Sequence, residues 1–549
     1  MTIVTFVLFY NLLFFSGRGL VKLILQFFSL YKYNSHLQIS NNISLKSFNA
    51  LIYLFFFGNS MFILNFFIPI KNISSIFYAM TIIIFIFGLI NFKFNNLNFL
   101  ISNLIFPSLI GISSFGIRFH YDSGAYHLGI QNWFYESKII FGLINLDPFF
   151  SYASLNEYIS AGLWSLNNYI FLHFTHMVFF VVFYNFINEI IIQNKSLFLK
   201  NTGIFILIYS LIDNFGINGG SNGYFQVQTI GKQDTGVGVI ISIALIIFLN
   251  DVINSNYTKK GLTFLTFLSL FAFQLKINGG LLIILILIYL FQFIKESKNI
   301  FYRENILLSA ILVGWSIKSF IISSCFVFPI LSTCSKSVSW NAYTDVEGAK
   351  NGTVELNYAY VFGENIIDWF NEWLYIQFSY QIVLNFLFSI LFIFILRKVF
   401  FERKNLSSNE IRAKFYCFVF LLVGFVTFFT TVPVYRNGFG VFVSMFTFLA
   451  LSSDKFRYED FVKPVVWSIL LILSLAAIPR GYMYKEFISS PIQIVTPEIK
   501  SVEYINIDNS KWVNSNIGQC WISLYCIPND RVIFENSLYN YTVFTSEKK

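Results

Sequence analysis

An all-helical, multi-pass membrane fold is what this sequence predicts, and three observations predict it. Only 12% of the 549 residues are charged while 56% are hydrophobic; a soluble chain of this size carries about twice that charge. Apolar runs long enough to cross a bilayer core recur from end to end, and at roughly 18–25 residues they fit helices rather than barrel strands. The basic residues cluster in alternate loops, the pattern that sets which side faces the cytoplasm. That alternation also accounts for the net charge of +9, so no nucleic-acid partner is expected. The abundance of Phe (71) and Tyr (31) fits codon bias in an AT-rich genome better than an aromatic binding box.

Taken in order, four spans are predicted near 3–30, 50–70, 75–92 and 98–117, an N-terminal unit covering 1–117. Arg18 and Lys22 interrupt the first. Met1–Phe15 runs into Gly17-Arg18 without a small-residue cleavage site, so a cleaved signal is not expected. A polar stretch, 118–164, comes next. A core at 165–322 holds spans near 166–191, 203–214, 236–250, 262–276, 281–294 and 305–322, with a second acidic loop at 214–235. A loop at 323–375 precedes spans near 376–396, 415–432, 438–453 and 464–479 within 376–479, and a tail at 480–549 ends the chain. The count is about fourteen helices. The clusters Lys195/Lys200, Lys259/Lys260, Lys295/Lys298/Arg303, Arg397/Lys398/Arg403/Lys404/Arg412/Lys414 and Lys455/Arg457/Lys463 then share one side, the cytoplasm. The long loops, the turn 433–437, the tail and the N-terminus fall on the other.

Four of the five cysteines lie in those outer segments, in two close pairs: Cys325 with Cys334, and Cys520 with Cys526. On an oxidising side they read as disulfides. The rival is a four-thiolate metal site, whose spacings here differ from the short zinc knuckles. Cys417 sits alone in a span. Asn-X-Ser/Thr sequons such as Asn351-Gly352-Thr353 arise by chance in an Asn-rich chain.

The stretch 118–164 carries the chemistry-bearing residues: two histidines, Asp122, Glu136, Asp147 and Glu157. Asp122 lies at the end of the fourth span, where partial shielding can raise a carboxylate toward the range of a general base. If 123–140 is a helix on the membrane surface, Tyr126 and His127 sit one turn on, and Leu128, Ile130, Trp133, Phe134, Ile139 and Ile140 face lipid. The plainer reading makes Asp122 the helix N-cap and His127 a structural histidine. Asp234, two residues after Lys232, stands at a second boundary and is open to the same two readings. Lys276 and Arg436 sit at outer turns between spans. A cation there either snorkels to headgroups or meets an anion such as phosphate. GxGxxG, P-loop, HExxH, CxxC and Ser-His-Asp patterns do not stand out, so nucleotide binding and hydrolase chemistry are not indicated.

Two outer carboxylates and two outer cations in a helical membrane chain resemble the GT-C superfamily of polyprenyl-phosphate-sugar-dependent glycosyltransferases. More closely, the chain is similar to a poorly characterised family of bacterial membrane proteins from surface-polysaccharide loci. The resembling stretches are Asp122-Ser123-Gly124-Ala125-Tyr126-His127-Leu128, Gly142-Leu143-Ile144-Asn145-Leu146, Ser324-Cys325-Phe326-Val327-Phe328-Pro329 with Cys334, and Gln519-Cys520-Trp521 with Cys526. Ala125 departs from the larger apolar residue expected there, and four spans before the first acidic loop exceed the usual superfamily start. The resemblance implies a GT-C-like helical bundle in the bacterial inner membrane, with short amphipathic helices in its outer loops. It implies transfer of a sugar from a polyprenyl-phosphate donor to a glycan or lipid-linked acceptor at the outer face. Asp122 would act as base, with Asp234 orienting the acceptor or a divalent metal if one is used. Tyr126, His127, Lys232, Lys276 and Arg436 would bind substrate. A polysaccharide polymerase or a lipid-linked glycan transporter is the alternative; a transporter should show inverted repeats and spans broken near mid-membrane.

Overall fold

The structure, a computed structural model, describes residues 1–27, 38–40, 43–92, 97–193, 196–215, 223–232, 234–296, 303–356, 358–376, 380–402, 405–451, 455–456, 464–507, 511–527 and 531–548. Lys195, Lys298, Arg403, Lys404, Arg457 and Lys463 of the basic loops lie outside them.

The helices are α1 (Thr2–Phe27), α2 (Asn49–Asn65), α3 (Ile70–Leu89), α4 (Leu97–Leu100), α5 (Phe106–Gly111), α6 (Leu128–Glu136), α7 (Leu155–Leu163), α8 (Ile170–Asn188), α9 (Leu197–Phe215) and α10 (Asp234–Ile253). They continue with α11 (Lys259–Leu275), α12 (Ile283–Glu296), α13 (Arg303–Ser323), α14 (Tyr343–Leu356), α15 (Ile366–Ile376), α16 (Tyr380–Phe400), α17 (Ser408–Thr431), α18 (Phe439–Ala450), α19 (Pro464–Ala477) and α20 (Gly481–Ser489). Among the described residues the strands form four antiparallel two-stranded pairs: β1 (Gln38–Ser40) with β2 (Ile43–Ser44), β3 (Phe401–Glu402) with β4 (Lys455–Phe456), β5 (Tyr504–Asn506) with β6 (Val513–Ser515), and β7 (Arg531–Leu538) with β8 (Tyr541–Lys548).

The protein is a mostly helical, multi-pass membrane protein. Among the described residues ten helical segments are long and apolar enough to cross a membrane, or eleven if α19 and α20, bent by 83°, form one. That corrects the expected fourteen. The shortfall has a physical cause in each helix. α11 has 17 residues and α18 only 12, below what a bilayer core requires. α9 has 19, but Lys200, Asn201, Asp213 and Asn214 dilute its apolar run.

The centre of the bundle is α8 and α10, whose spanning windows are 94% buried against 28–33% for α13, α16 and α17 at the periphery. A helix buried all round must be apolar all round, which is how α10 reads. Small residues let neighbours close on it: a Cβ at Gly238 would stand 2.7 Å from Phe439, and one at Gly236 would stand 3.0 Å from Phe179.

The two basic residues of α1 find a use at the end of α3. Arg18 donates to the carbonyls of Gly88, Ile90 (3.3 Å) and Asn91 (3.4 Å), and Lys22 to those of Ile90 (2.7 Å) and Phe87 (3.1 Å). These are the orphan carbonyls of a helix C-terminus, where the dipole favours cations. The approach needs Gly88, because a Cβ there would collide with the Phe15 carbonyl.

At one end of the bundle, three segments separated in sequence meet. Phe141 bridges Val543 in β8, the Gly142 N–H donates to Ile321 O (2.8 Å), and Asn145 donates to Trp340 O (3.2 Å) and Phe544 O (2.9 Å). Disulfides join Cys325 to Cys334 and Cys520 to Cys526 at this end, while Cys417 is free and buried. The expected surface helix runs through the π-turn Ser123–His127 into α6, and it does not face lipid. Leu128, Ile130, Trp133, Phe134, Ile139 and Ile140 are all buried, Phe134 stacked on Tyr158 at 4.2 Å and Trp133 against Phe544 at 5.4 Å. On the face that was read as lipid-side, α7 covers Phe134 and Trp133 is covered by the tail. The tail also departs from all-α: β7 and β8 pair around Tyr539-Asn540, both at positive φ (48° and 66°), as a two-residue primed turn requires.

The Gly88 contact gives the first prediction. Gly88→Ala must push α1 from α3 and disturb the Arg18 and Lys22 caps, an overpacking cost of about 1–3 kcal/mol. The purified variant should melt below wild type in detergent. Gly348→Ala, with open space around it, should not. Equal melting of the Gly88 variant and wild type would refute this packing.

Candidate functional site

The site is assembled from four segments at the end where the disulfides lie. The first is 118–127. Its strand-like start is stitched to the loop before α10: His120 N–H donates to Ile230 O (3.1 Å), Ile230 N–H to Arg118 O (3.3 Å), and the Ser123 hydroxyl also donates to Ile230 O. Gly231 follows at φ +91°, a left-handed conformation that favours glycine, and a Cβ there would strike Ser123 Oγ. The second segment, Gly231 and Lys232 ahead of Asp234, is thereby pinned onto the first. The chain then enters the π-turn Ser123–His127, a helical irregularity common at functional sites.

Asp122 makes no side-chain cap bond, so the plain N-cap reading does not hold for it. Its carboxylate instead meets Lys232, lies 3.2 Å from His120 Nδ1, and receives the Tyr126 hydroxyl at 3.4 Å. Burial pushes its pKa up, but His120 and Lys232 together outweigh burial and hold it well below the usual carboxylate range. The expectation of a raised pKa is therefore corrected: shielding at the bundle end is real, but it comes with cations. Lys232, itself buried, is brought down to about 8 by burial first and by Arg436 second, against the pull of Asp122 and Asp234. Burial and the Asp122 charge keep the Tyr126 phenol well above its ordinary value, so it stays a donor.

The third and fourth segments supply Lys276 and Arg436. α11 ends at Lys276, whose extended backbone (φ −161°, ψ 143°) turns the chain into the 3-10 segment Ile277–Leu282. Arg436 and Asn437 stand on the 3-10 turn Tyr435–Gly438 ahead of α18. Both cations close on Asp234, the first residue of α10. Lys276 bonds Oδ1, and Arg436 Nε lies 3.0 Å from Oδ2. Lys276 also donates to Asn437 Oδ1 at 2.7 Å. Asp234 is buried, whereas the Lys276 and Arg436 side chains stay about a third exposed (33% and 29%), so the cluster is open on the cation side.

Asp122, Tyr126, Lys232, Asp234, Lys276 and Arg436 thus come together. His127 lies beside them but faces inward: its Nδ1 is 2.7 Å from Glu157, which is fully buried and completes a capping box with Ser154 at the start of α7. Burial works against the Glu157 carboxylate, and bonds from His127 and Ser154 bring its pKa down. Glu157 was legible as a cap from Ser154-x-x-Glu157, but its link to His127 was not. His120 is legible only as one of the two histidines of 118–164, with no role assigned, and Asn437 is not singled out in the sequence. The other acids of the stretch are structural: Asp147 accepts from the Phe149 N–H (2.7 Å), and Glu136 pairs with Lys71. Of the cysteines, the Cys520–Cys526 loop reaches the site. Trp521 N–H donates to Gly124 O (2.8 Å), and its indole lies where a Gly124 Cβ would be (2.6 Å). Cys325 and Cys334 pack around Ile144 and Phe328 instead.

No curated protein and no solved structure matches the chain. A family model, described as Domain of unknown function (DUF8201), matches residues 1–443. The matched stretch includes every charged residue of the cluster and stops short of the tail that carries Trp521. The chain belongs to this DUF8201 family.

Proposed function

We propose that this protein is an integral-membrane glycosyltransferase of GT-C type. It moves a sugar from a polyprenyl-phosphate donor to a hydroxyl of a glycan or lipid-linked acceptor at the outer face of the bacterial inner membrane. The observation that carries this reading is the convergence of Lys232, Lys276 and Arg436 with Asp122 and Asp234, from four segments, on one end of the bundle. Cations at membrane depth need anions, and a lipid-borne phosphate is an anion that arrives at that depth.

The chemistry follows from the groups present. The acceptor oxygen attacks the anomeric carbon as the bond from that carbon to the phosphate oxygen breaks, and direct displacement inverts the centre. The phosphate leaves with the bonding electrons, and Lys276 and Arg436 stabilise its growing charge, Arg through paired N–H donors. The acceptor proton goes to Asp122, whose carboxylate becomes a useful base only when Lys232 is drawn off it. Tyr126 keeps the carboxylate oriented. The donor set does not fit a divalent ion, because Asp122 and Asp234 each already face cations, and no step runs through one. The Lys276–Leu282 interruption joins the ends of α11 and α12 and does not break one helix midway, so it lends nothing to a transporter.

Four outcomes are expected. Asp122→Asn should reach the membrane at wild-type levels yet fail to build surface glycan, since loss of a general base costs ~10²–10⁴ in rate. Lys276→Gln should weaken donor binding and be rescued in part by high donor. Complementation of a deletion strain, with membrane levels measured alongside, checks both; full glycan from Asp122→Asn would end the base assignment. Because Lys232 titrates near 8 and its cation is lost above that, donor affinity should fall as pH rises through about 8. Lys232→Arg should flatten this dependence, and an unchanged profile would remove Lys232 from the donor site. The outer-face placement requires Gly352→Cys to react with an impermeant thiol reagent in intact cells and Asn405→Cys to react only after permeabilisation. The reverse pattern would invert the topology.

A further inference from the structure

We propose that Lys232 is a charge shuttle, pairing with Asp122 before transfer and moving to the departing phosphate as Asp122 takes the acceptor proton. The inference rests on the transferase reading above and deepens it by giving Lys232 a role distinct from that of Lys276 and Arg436.

The placement of the three cations differs. Lys276 and Arg436 share the Asp234 carboxylate, one on each oxygen. Asp234 is buried and its two cations are partly exposed, so an entering anion can join this pairing from the cation side. Lys232 bonds only Asp122 among the ion pairs of the described residues, and the fields of Asp234 and Arg436 both reach it. It stands between the two halves of the cluster. Its backbone is held by Gly231 against Ser123 and by the Ile230 bonds, so only the side chain is free to change partner. A lysine, with a compact charge on a flexible stem, suits such a move better than a planar guanidinium.

The charges close at both ends of the step. Before transfer, Lys232, Lys276 and Arg436 face Asp122, Asp234 and a donor phosphodiester carrying about one negative charge. After transfer the phosphate is a monoester with roughly two negative charges at neutral pH, and Asp122 holds the proton and has none. The sum is unchanged. The one rearrangement needed is for the cation that Asp122 no longer requires to meet the charge that the phosphate has gained. Lys232 is the cation so placed. Proton transfer and leaving-group departure are then coupled through one side chain, with no uncompensated charge at any point in a site where such a charge is costly.

The groups bearing on Asp122 are His120 and Tyr126 from its own segment and Lys232 from the loop before α10; those bearing on Lys232 are Asp122, Asp234 and Arg436. The test measures protons taken up when the product-like anion binds. Full-length protein in nanodiscs is titrated by calorimetry with a short-chain prenyl monophosphate at pH 6, in two buffers of different ionisation enthalpy. In wild type the shuttle frees Asp122 to take a proton, so uptake should exceed that of Asp122→Asn by up to about one proton per site. Subtracting the Asp122→Asn value removes the contribution of the phosphate itself. Lys232→Gln should bind at least about tenfold more weakly and lose the extra uptake. Lys232→Arg, which keeps the charge, should retain at least part of it. Equal uptake by wild type and Asp122→Asn would overturn the shuttle while leaving the phosphate site standing. Absence of prenyl-phosphate binding to folded wild-type protein would instead overturn the transferase reading itself.

Discussion

The ion pairs of Lys276 and Arg436 with Asp234 tie together three parts of the chain that are far apart in sequence. Asp234 is buried at the head of α10, which with α8 forms the buried centre of the bundle, and an unpaired carboxylate there would be strongly destabilising. The ends of α11 and α18 must therefore arrive at this level. The 17-residue α11 stops and the 12-residue α18 starts at the level of the carboxylate, so the polar turns after α11 and ahead of α18 reach the site.

A second layer holds the first in place. The π-turn carrying Asp122 has Trp521 packed against Gly124, and the disulfide from Cys520 to Cys526 fixes the loop that presents that tryptophan. Beneath it, His127 is held by the buried Glu157, and Glu157 by the start of α7. The segment 118–127 is thus gripped from the tail side and from the bundle side. Asp122 and Lys232 meet because both ends of their connection are fixed, which is what a charge pair on otherwise flexible loops needs.

How much of this could be read from the sequence depends on the range of each signal. Membrane spanning is a local, summed property, so apolar runs and the basic loops carried it. Asp122, Asp234, Lys232, Lys276 and Arg436 could be singled out because a charge beside a span is locally anomalous. Their convergence could not, since it depends on how α10, α11 and α18 pack. The span count failed where tertiary packing supplies what length does not, as at α18. The lipid-facing reading of Leu128 to Ile140 failed for a related reason. An apolar face states only that it is buried, and here protein covers it. The Asp122 pKa was read from burial alone, and its sign reversed once His120, two residues away, and Lys232, 110 residues away, were both found on the carboxylate. The β7–β8 hairpin was within reach, through the β-branched and aromatic run on each side of Tyr539-Asn540.

A site whose charges are satisfied internally is stable without its substrate, and that sets what can open it. A neutral lipid offers nothing to exchange for the carboxylates. A cation is repelled by three positive groups. Only an anion can replace Asp122 at Lys232, or join Asp234 at Lys276 and Arg436, without leaving a bare charge behind. On the proposed transferase reading, selectivity for an anionic head needs no separate recognition element: it follows from the requirement that partners be exchanged and never simply lost. The exposure pattern agrees with this, since the carboxylate of Asp234 lies deepest and its two cations lie between it and the approach.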